Sequence, residues 1–291
     1  MQVTPDLVAE VVEKAIPHIA FDLRPDVLAA MKKAAEQEQD PRGKLVLSQL
    51  LENSRIAAED RVPLCQDTGT TWICLELGRD DCSLASDPFA DVDAAVGRAY
   101  KAGKLRMSTL RDALVDRSNP GDNTPAFTEL KFVEGHGAKL HIMLKGGGSD
   151  NASIVEMLPP GAGWEGVKQV VLARVKKKAS SACPPLVIGV GVGTTFDKVG
   201  GLAKHALLRA VDEPNSDPRV AAYEEELLTE INAMGIGAGA LGGSATALSC
   251  HIETAPCHIA ALPVAVNMGC SAMRSITVDL ARYMETGELP W

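Results

Sequence analysis

Two apolar runs in this chain each end in a cluster of glycines, and this feature constrains the fold most. Leu140-His141-Ile142-Met143-Leu144 leads into Lys145-Gly146-Gly147-Gly148-Ser149, and Leu186-Val187-Ile188 leads into Gly189-Val190-Gly191-Val192-Gly193. Short branched runs closed by glycine read as buried strands. Helical patterns alternate with them. The order predicts a mixed α/β (α+β) fold with a helical N-terminal region, its functional loops at strand ends.

The first sixty residues read as helices. Thr4-Pro5 is a cap followed by Pro in the first turn, and Leu7, Val11, Ala15 and Ile19 then share a face with Val8, Val12 and Ile16 beside them. A second helix follows Pro25, with Val27, Leu28, Met31, Ala34 and Ala35 inward. Asp40-Pro41-Arg42-Gly43 is expected to break it, and a third helix to run from about Lys44 to Ala58. After a turn-rich stretch, Val62 to Gly69, a strand is expected at Thr70 to Leu77. Helices are expected at Asp91 to Lys101, Val167 to Lys178, Leu202 to Ala210 and Ala221 to Ala233, with a loop at Asn119 to Asn123 and a strand at Ile259 to Val266. No repeat and no clean linker divides the chain. Residues 1–291 read as one domain, with residues 1–60 a helical flank or subdomain of it.

Composition excludes several classes. The net charge is −9 and no Lys/Arg run is long enough to track a phosphate backbone, so nucleic acid is not an expected partner. Lys176-Lys177-Lys178 closes a helical pattern, where cations suit the negative end of the dipole. No secretory signal and no apolar run of spanning length is visible; a cytoplasmic location and no membrane association are expected.

Gly189 to Gly193 has the spacing Gly-x-Gly-x-Gly, which fails the dinucleotide pattern, and Lys145 precedes its glycines where a phosphate-binding loop has Lys after them. Consecutive glycines still let backbone N–H groups approach an anion, or let a strand pack tightly on its neighbour. The seven cysteines are an odd number in a chain large enough to fold without staples, so free thiols are expected. Cys65, Cys183 and Cys270 each sit in a loop beside an expected strand. They are too far apart in sequence for a local zinc knuckle but could meet at iron, an iron–sulphur cluster or zinc. The alternative is that they are structural thiols. Cys74 reads as a core residue and Cys82 as a surface one; Cys250 and Cys257 flank His251-Ile252-Glu253, a possible zinc set.

These stretches resemble the alpha subunit, or N-terminal half, of the class I fumarase and L-tartrate dehydratase family. The matching segments are Pro63-Leu64-Cys65-Gln66-Asp67-Thr68-Gly69, Leu105-Arg106, Lys145 through Asn151, Cys183-Pro184-Pro185 with its glycine strand, and His258-Ile259-Ala260 through Asn267 to Cys270. The likeness spans about residues 5 to 275, in order.

The resemblance implies a [4Fe–4S] cluster held by Cys65, Cys183 and Cys270, with one iron open to substrate as a Lewis acid. It gives Asp67 contact with the reacting hydroxyl, Gln66 substrate orientation, Arg106 and the Gly148 backbone the carboxylate oxygens, and His258 assistance in proton transfer. It implies fumarate hydration to (S)-malate, Lys145 before the glycines favouring fumarate over L-tartrate or a methyl-substituted 2-hydroxy diacid. It also implies a separate beta subunit carrying the swivelling domain, in an alpha2–beta2 heterotetramer. A non-enzymatic iron–sulphur redox or iron-sensing module is the alternative of another class.

Overall fold

A computed structural model describes residues 1–291. After a two-residue strand β1 (Gln2–Val3), the N-terminal region is helical as expected: α1 (Pro5–Phe21), α2 (Pro25–Gln37) and α3 (Pro41–Asp60). Thr4 caps α1, its Oγ1 accepting the Leu7 N–H at 3.3 Å. Val8, Val11, Val12, Ala15, Ile16 and Ile19 are fully buried, while Leu7 is only partly covered. In α2, Val27 and Met31 are buried, with Leu28, Ala34 and Ala35 partly covered. Asp40-Pro41 does not merely break a helix but opens the next one. Asp40 Oδ1 accepts the N–H groups of Arg42 at 2.8 Å and Gly43 at 3.3 Å, and Pro41 is the first helical residue, where no donor is needed.

The chain continues through β2 (Thr70–Gly78), β3 (Ser83–Leu84), α4 (Val92–Ala102), β4 (Phe127–Val133), β5 (Ala138–Lys145), the single turn α5 (Gly147–Asp150), β6 (Ile154–Leu158) and α6 (Gly163–Lys178). It ends with β7 (Leu186–Thr194), α7 (Phe196–Ala206), α8 (Pro218–Ala233), β8 (Ala247–Cys257), β9 (Leu262–Gly269), β10 (Ser275–Asp279) and α9 (Leu280–Thr286). The fold is mixed α/β. No helix is long and apolar enough to cross a membrane.

The chain forms two compact units. One comprises Met1–Arg24, Ser54–Gly147 and Arg274–Trp291. Its sheet has the order β10-β5-β2-β4, with β2 and β4 parallel and the other pairs antiparallel. α1 and α4 supply Val12, Ile16, Val96 and Tyr100 to a core with Ile73, Leu75, Leu140 and Ile142. Full burial of a Leu or Ile side chain stabilises by about 1.5–3 kcal/mol, so this layer outweighs any surface ion pair. Cys74 is fully buried within β2, as expected, and burial pushes its thiol up to about 12. Cys82 is partly covered against the same core, its Sγ 3.3 Å from Asp81.

The other unit comprises Pro25–Asn53 and Gly148–Met273, with a sheet of order β6-β9-β7-β8. Here β7 pairs parallel with β8 and antiparallel with β9. Tight packing accounts for the glycines of β7. A Cβ on Gly189 would stand 2.2 Å from the Ala203 carbonyl oxygen and one on Gly191 2.6 Å from that of Val199, so glycine lets α7 lie directly on the strand. α7 starts at Phe196 rather than near Leu202, and the last expected strand is shifted to Leu262–Gly269, with Ile259 in the exposed turn before it. Cys250 and Cys257 are not a zinc set: both lie in the extended β8, seven steps apart or about 23 Å, with Cys250 buried and Cys257 exposed.

Candidate active site

Asp67 stands at the end of the first unit's sheet, in the turn between α3 and β2. Thr70 pairs with Lys145 and Ser275 with Met143, so the start of β2, the end of β5 and the start of β10 meet there. The turn is held from several sides. The Leu64 N–H donates to the Ala20 carbonyl at 2.9 Å, and Leu64 is buried. Thr68 Oγ1 donates to the Arg106 carbonyl at 2.6 Å. The Tyr100 hydroxyl donates to the Gly69 carbonyl at 2.9 Å, and Asn123 Nδ2 donates to the same oxygen at 3.2 Å. Burial raises the Tyr100 phenol to about 12, which keeps it a donor. Gly69 has φ +82°, and a Cβ there would lie 2.8 Å from the Lys145 carbonyl carbon.

These contacts aim the Asp67 carboxylate. Oδ1 accepts the Gly69 N–H at 3.1 Å and lies 3.2 Å from Arg106 Nη2; Oδ2 accepts the Gly147 N–H at 2.8 Å. Gly146 eases this approach, since a Cβ there would stand 3.2 Å from Oδ2 and the carboxylate would have to shift by a few tenths of an ångström. The glycine cluster therefore does present an N–H to an anion, and in this structure the anion is Asp67 itself. Arg106 keeps more than half of its side chain exposed, so its guanidinium can also meet an incoming carboxylate. Cys65, two residues before Asp67, is partly exposed with Sγ 3.2 Å from Gln66 Oε1.

Arg274 is the residue that sequence reasoning missed. It is 2% exposed, and its Nη1 donates to the Asp67 carbonyl at 2.7 Å. The only signal was an arginine in an otherwise apolar or small stretch, Ser271-Ala272-Met273-Arg274-Ser275-Ile276.

In the second unit Cys183 and Cys270 come to the same sheet end. Cys183 follows the 3-10 turn Ala179–Ala182 and precedes β7; Cys270 follows β9, whose Gly269 is opposite Val187. The Ser271 N–H donates to the Cys183 carbonyl at 3.0 Å, joining the two loops. Cys183 is exposed with φ 56°, Cys270 is partly exposed, and neither is in a disulfide. Gly148 packs beside the same turn: its Cβ would be 3.1 Å from the Ser181 carbonyl oxygen.

His258 lies apart from Cys183 and Cys270 within its own unit. It was expected near these cysteines, but it lies just past β8, whose Cys257 pairs with Thr194 at the far end of β7 from Leu186. The eight steps of β7 separate it from the Cys183 end by roughly 25 Å. It is exposed, and its Nδ1 accepts the Ala260 N–H at 3.1 Å. Within this unit His258 does not join the cysteine loops.

Each unit by itself presents accessible thiols of the kind that bind an iron–sulphur cluster. Cys65, Cys183 and Cys270 are accessible, whereas burial raises the thiols of Cys74 and Cys250. The chain is similar to several known proteins. A chain from Methanocaldococcus jannaschii, provisionally named L(+)-tartrate dehydratase subunit alpha, is 37% identical over 92% of this chain and 95% of its own length. The L(+)-tartrate dehydratase alpha subunits of Escherichia coli UTI89 and K12 are 29% and 28% identical, each over 92% of this chain and 89% of their own. The family described as fumarate hydratase (Fumerase) matches residues 9–279, so this chain belongs to that family and is a hydro-lyase.

Proposed function

We propose that the chain is the alpha subunit of a fumarate hydratase, interconverting fumarate and (S)-malate with a [4Fe–4S] cluster held by Cys65, Cys183 and Cys270. The observation that carries the reading is the Asp67 carboxylate, held by Gly147 N–H and beside Arg106, two residues from a cysteine with an accessible thiol. When bound, the cluster supplies a Lewis-acidic iron that eases departure of hydroxide. Asp67 exchanges a proton with the hydroxyl. Gln66 orients the substrate, and Arg106 with the Gly148 N–H takes its carboxylate oxygens. His258 would help with proton transfer only if it reached a cysteine end other than that of its own unit. The whole of residues 1–291 acts as one catalytic domain.

The relatives are named alpha subunits. That supports a separate beta subunit, which supplies the remaining carboxylate clamps and the base, in an alpha2–beta2 assembly in the cytoplasm. L-tartrate is the second reading, favoured by the names of those relatives; Lys145 before the glycines favours fumarate.

The test is anaerobic reconstitution of the chain with iron and sulphide, co-assembly with its beta subunit, and kcat/KM for fumarate, (S)-malate and L-tartrate on one preparation. Fumarate and malate should lead tartrate by at least about tenfold, the discrimination a few substrate contacts supply. A preference for tartrate would replace the substrate. An intact cluster with no dehydratase activity towards any diacid would favour a sensor.

A further inference from the structure

Glu38 is a carboxylate with only 2% of its surface exposed, at the C-terminal end of α2, where its N–H donates to the Ala34 carbonyl at 2.9 Å. Burial and the negative end of the helix dipole both disfavour a charge there. Its partners are backbone N–H groups and one hydroxyl. Oε1 accepts the N–H groups of Gln39 at 2.9 Å and Asp40 at 3.0 Å. Oε2 accepts the Ser244 N–H at 2.8 Å, the Ser244 hydroxyl at 3.1 Å and the Ala245 N–H at 3.3 Å. Burial pushes the carboxyl pKa up, but the N–H groups of Asp40, Ser244 and Ala245 outweigh it and hold the pKa below the usual carboxylate range. Oε2 thus fastens α2 to the glycine-rich loop of residues 235–246. That loop is shaped for the contact: Gly243 has φ +108°, and a Cβ there would stand 2.5 Å from Oε2.

The far side of the same loop grips the chain just after Cys183. The Gly239 N–H donates to the Pro184 carbonyl at 2.8 Å, and the Leu186 N–H donates to the Thr246 carbonyl at 2.9 Å. Thr246 is fully buried, and its Oγ1 accepts the Gly237 N–H at 3.0 Å, which closes the loop on itself. One loop therefore holds the backbone on both sides of Pro185. Cys183 has φ 56°, a conformation that a side-chain-bearing residue keeps only where its surroundings impose it. All of these residues belong to one unit. We propose that Glu38 is a positioning residue for the cluster: by anchoring the 235–246 loop it keeps Cys183 in place as a thiolate ligand. The proposal rests on the reading of Cys183 as a ligand given above. It assigns Glu38 no contact with substrate or iron.

The test uses the full-length chain with Glu38→Ala, the milder Glu38→Gln, and Glu224→Gln as a control. Glu224 is a second buried carboxylate of this unit, but it accepts the Ile252 N–H at 2.6 Å and touches no part of the 235–246 loop. Without iron, amide exchange at Gly239 and Leu186 should quicken at least about tenfold in Glu38→Ala, the effect of losing hydrogen bonds to a charged group. After anaerobic reconstitution, the lifetime of the cluster absorbance against an iron chelator should shorten by a similar factor. Glu38→Gln keeps one oxygen and should fall between; it decides the matter if Glu38→Ala does not fold. Glu224→Gln should lower the melting temperature and leave both readouts at wild-type values. A wild-type cluster lifetime in Glu38→Gln would overturn the proposal. So would an equally short lifetime in Glu224→Gln at equal loss of stability, since any weakening of the unit would then suffice. Cys183→Ser tests the reading beneath: a full, stable cluster there would remove Cys183 from the ligand set and the proposal with it. Cluster loss in Cys183→Ser beside wild-type behaviour of both Glu38 variants would strike the positioning role alone.

Discussion

Arg274 Nη1 donates to the Asp67 carbonyl at 2.7 Å, so a guanidinium at the start of β10 fixes the turn that carries the candidate acid–base group. The Arg274 carbonyl in turn accepts the Leu144 N–H at 2.9 Å. One buried residue thus joins the end of β5, the Asp67 turn and β10. A hydrogen bond from a charged donor is worth about 1.5–3 kcal/mol, and losing this one removes the partner of a part-buried carbonyl. Arg274→Met should lower unfolding free energy by about 2–3 kcal/mol in urea titrations. Arg274→Lys, which keeps a donor, should recover part of the loss. Equal stability of wild type and Arg274→Met would mean that the turn is held without this contact.

Gly69 should be intolerant of a side chain. Its φ of +82° disfavours any L residue, and an added Cβ would stand 2.8 Å from the Lys145 backbone, which cannot swing away. Strain of this kind costs about 1–3 kcal/mol before any clash. Gly69→Ala should therefore destabilise by more than about 2 kcal/mol, whereas Gly121→Ala, with a similar φ but open space, should lose less. Equal losses would show that the close approach to Lys145 contributes nothing.

The cysteines should divide by access. Cys183 and Cys257 are exposed, Cys65 and Cys270 partly so, and Cys74 and Cys250 buried with raised thiol pKa values. At pH 8 an alkylating reagent should modify Cys183 and Cys257 first and leave Cys74 and Cys250 intact in the native state. Reconstitution with iron and sulphide should then protect Cys65, Cys183 and Cys270 while Cys257 stays reactive, read by peptide mass spectrometry. Labelling of Cys183 at an unchanged rate in loaded protein would remove it from the ligand set. The raised folded value of Cys74, about 12, also has a stability consequence. The folded state keeps its proton while the unfolded thiol loses it near 8.5. Stability from this group is thus full below about pH 8.5 and declines as pH rises from there towards 12. Cys74→Ala should flatten that alkaline decline in a pH series of melts.

Helices were legible where a cap announced them. Thr4-Pro5 marks α1 without tertiary help, and the buried face followed its apolar spacing. Asp40-Pro41 carries the same signal, but with Gly43 close behind it the sequence reads equally well as a break, because proline and glycine together are also punctuation. β8 was illegible for a different reason: Ala247-Leu248-Ser249-Cys250-His251 has no alternation and is a strand because β7 and α8 cover it. The Asp67 turn stood out by local chemistry, while Arg274, 207 residues away, acts through a backbone carbonyl that no side-chain pattern encodes. His258 shows the opposite limit. The family resemblance gave it a part in proton transfer, but within its own unit β9 runs the length of the sheet between it and Cys270.

Asp67→Asn separates chemistry from architecture. Asn keeps an oxygen able to accept the Gly69 N–H at the 3.1 Å contact, so the turn should survive and stability should change by less than about 1 kcal/mol. The second oxygen, which accepts Gly147 N–H at 2.8 Å, is the one an amide nitrogen cannot replace, and the ion pair to Arg106 disappears with the charge. Asn also cannot pass a proton between carboxylate and acid. With iron and sulphide content matched to wild type, kcat on the assembled enzyme should fall about 10²–10⁴-fold in both directions, the usual cost of removing a positioned acid–base group. A kcat within about threefold of wild type would make Asp67 a turn residue only. A deep loss accompanied by an unchanged KM would assign the carboxylate to the transition state rather than to substrate binding. Arg106→Lys supplies the contrast. Lysine keeps the charge but not the bidentate fork, so its loss should fall mainly on KM, as expected for a group that holds a carboxylate in substrate and transition state alike.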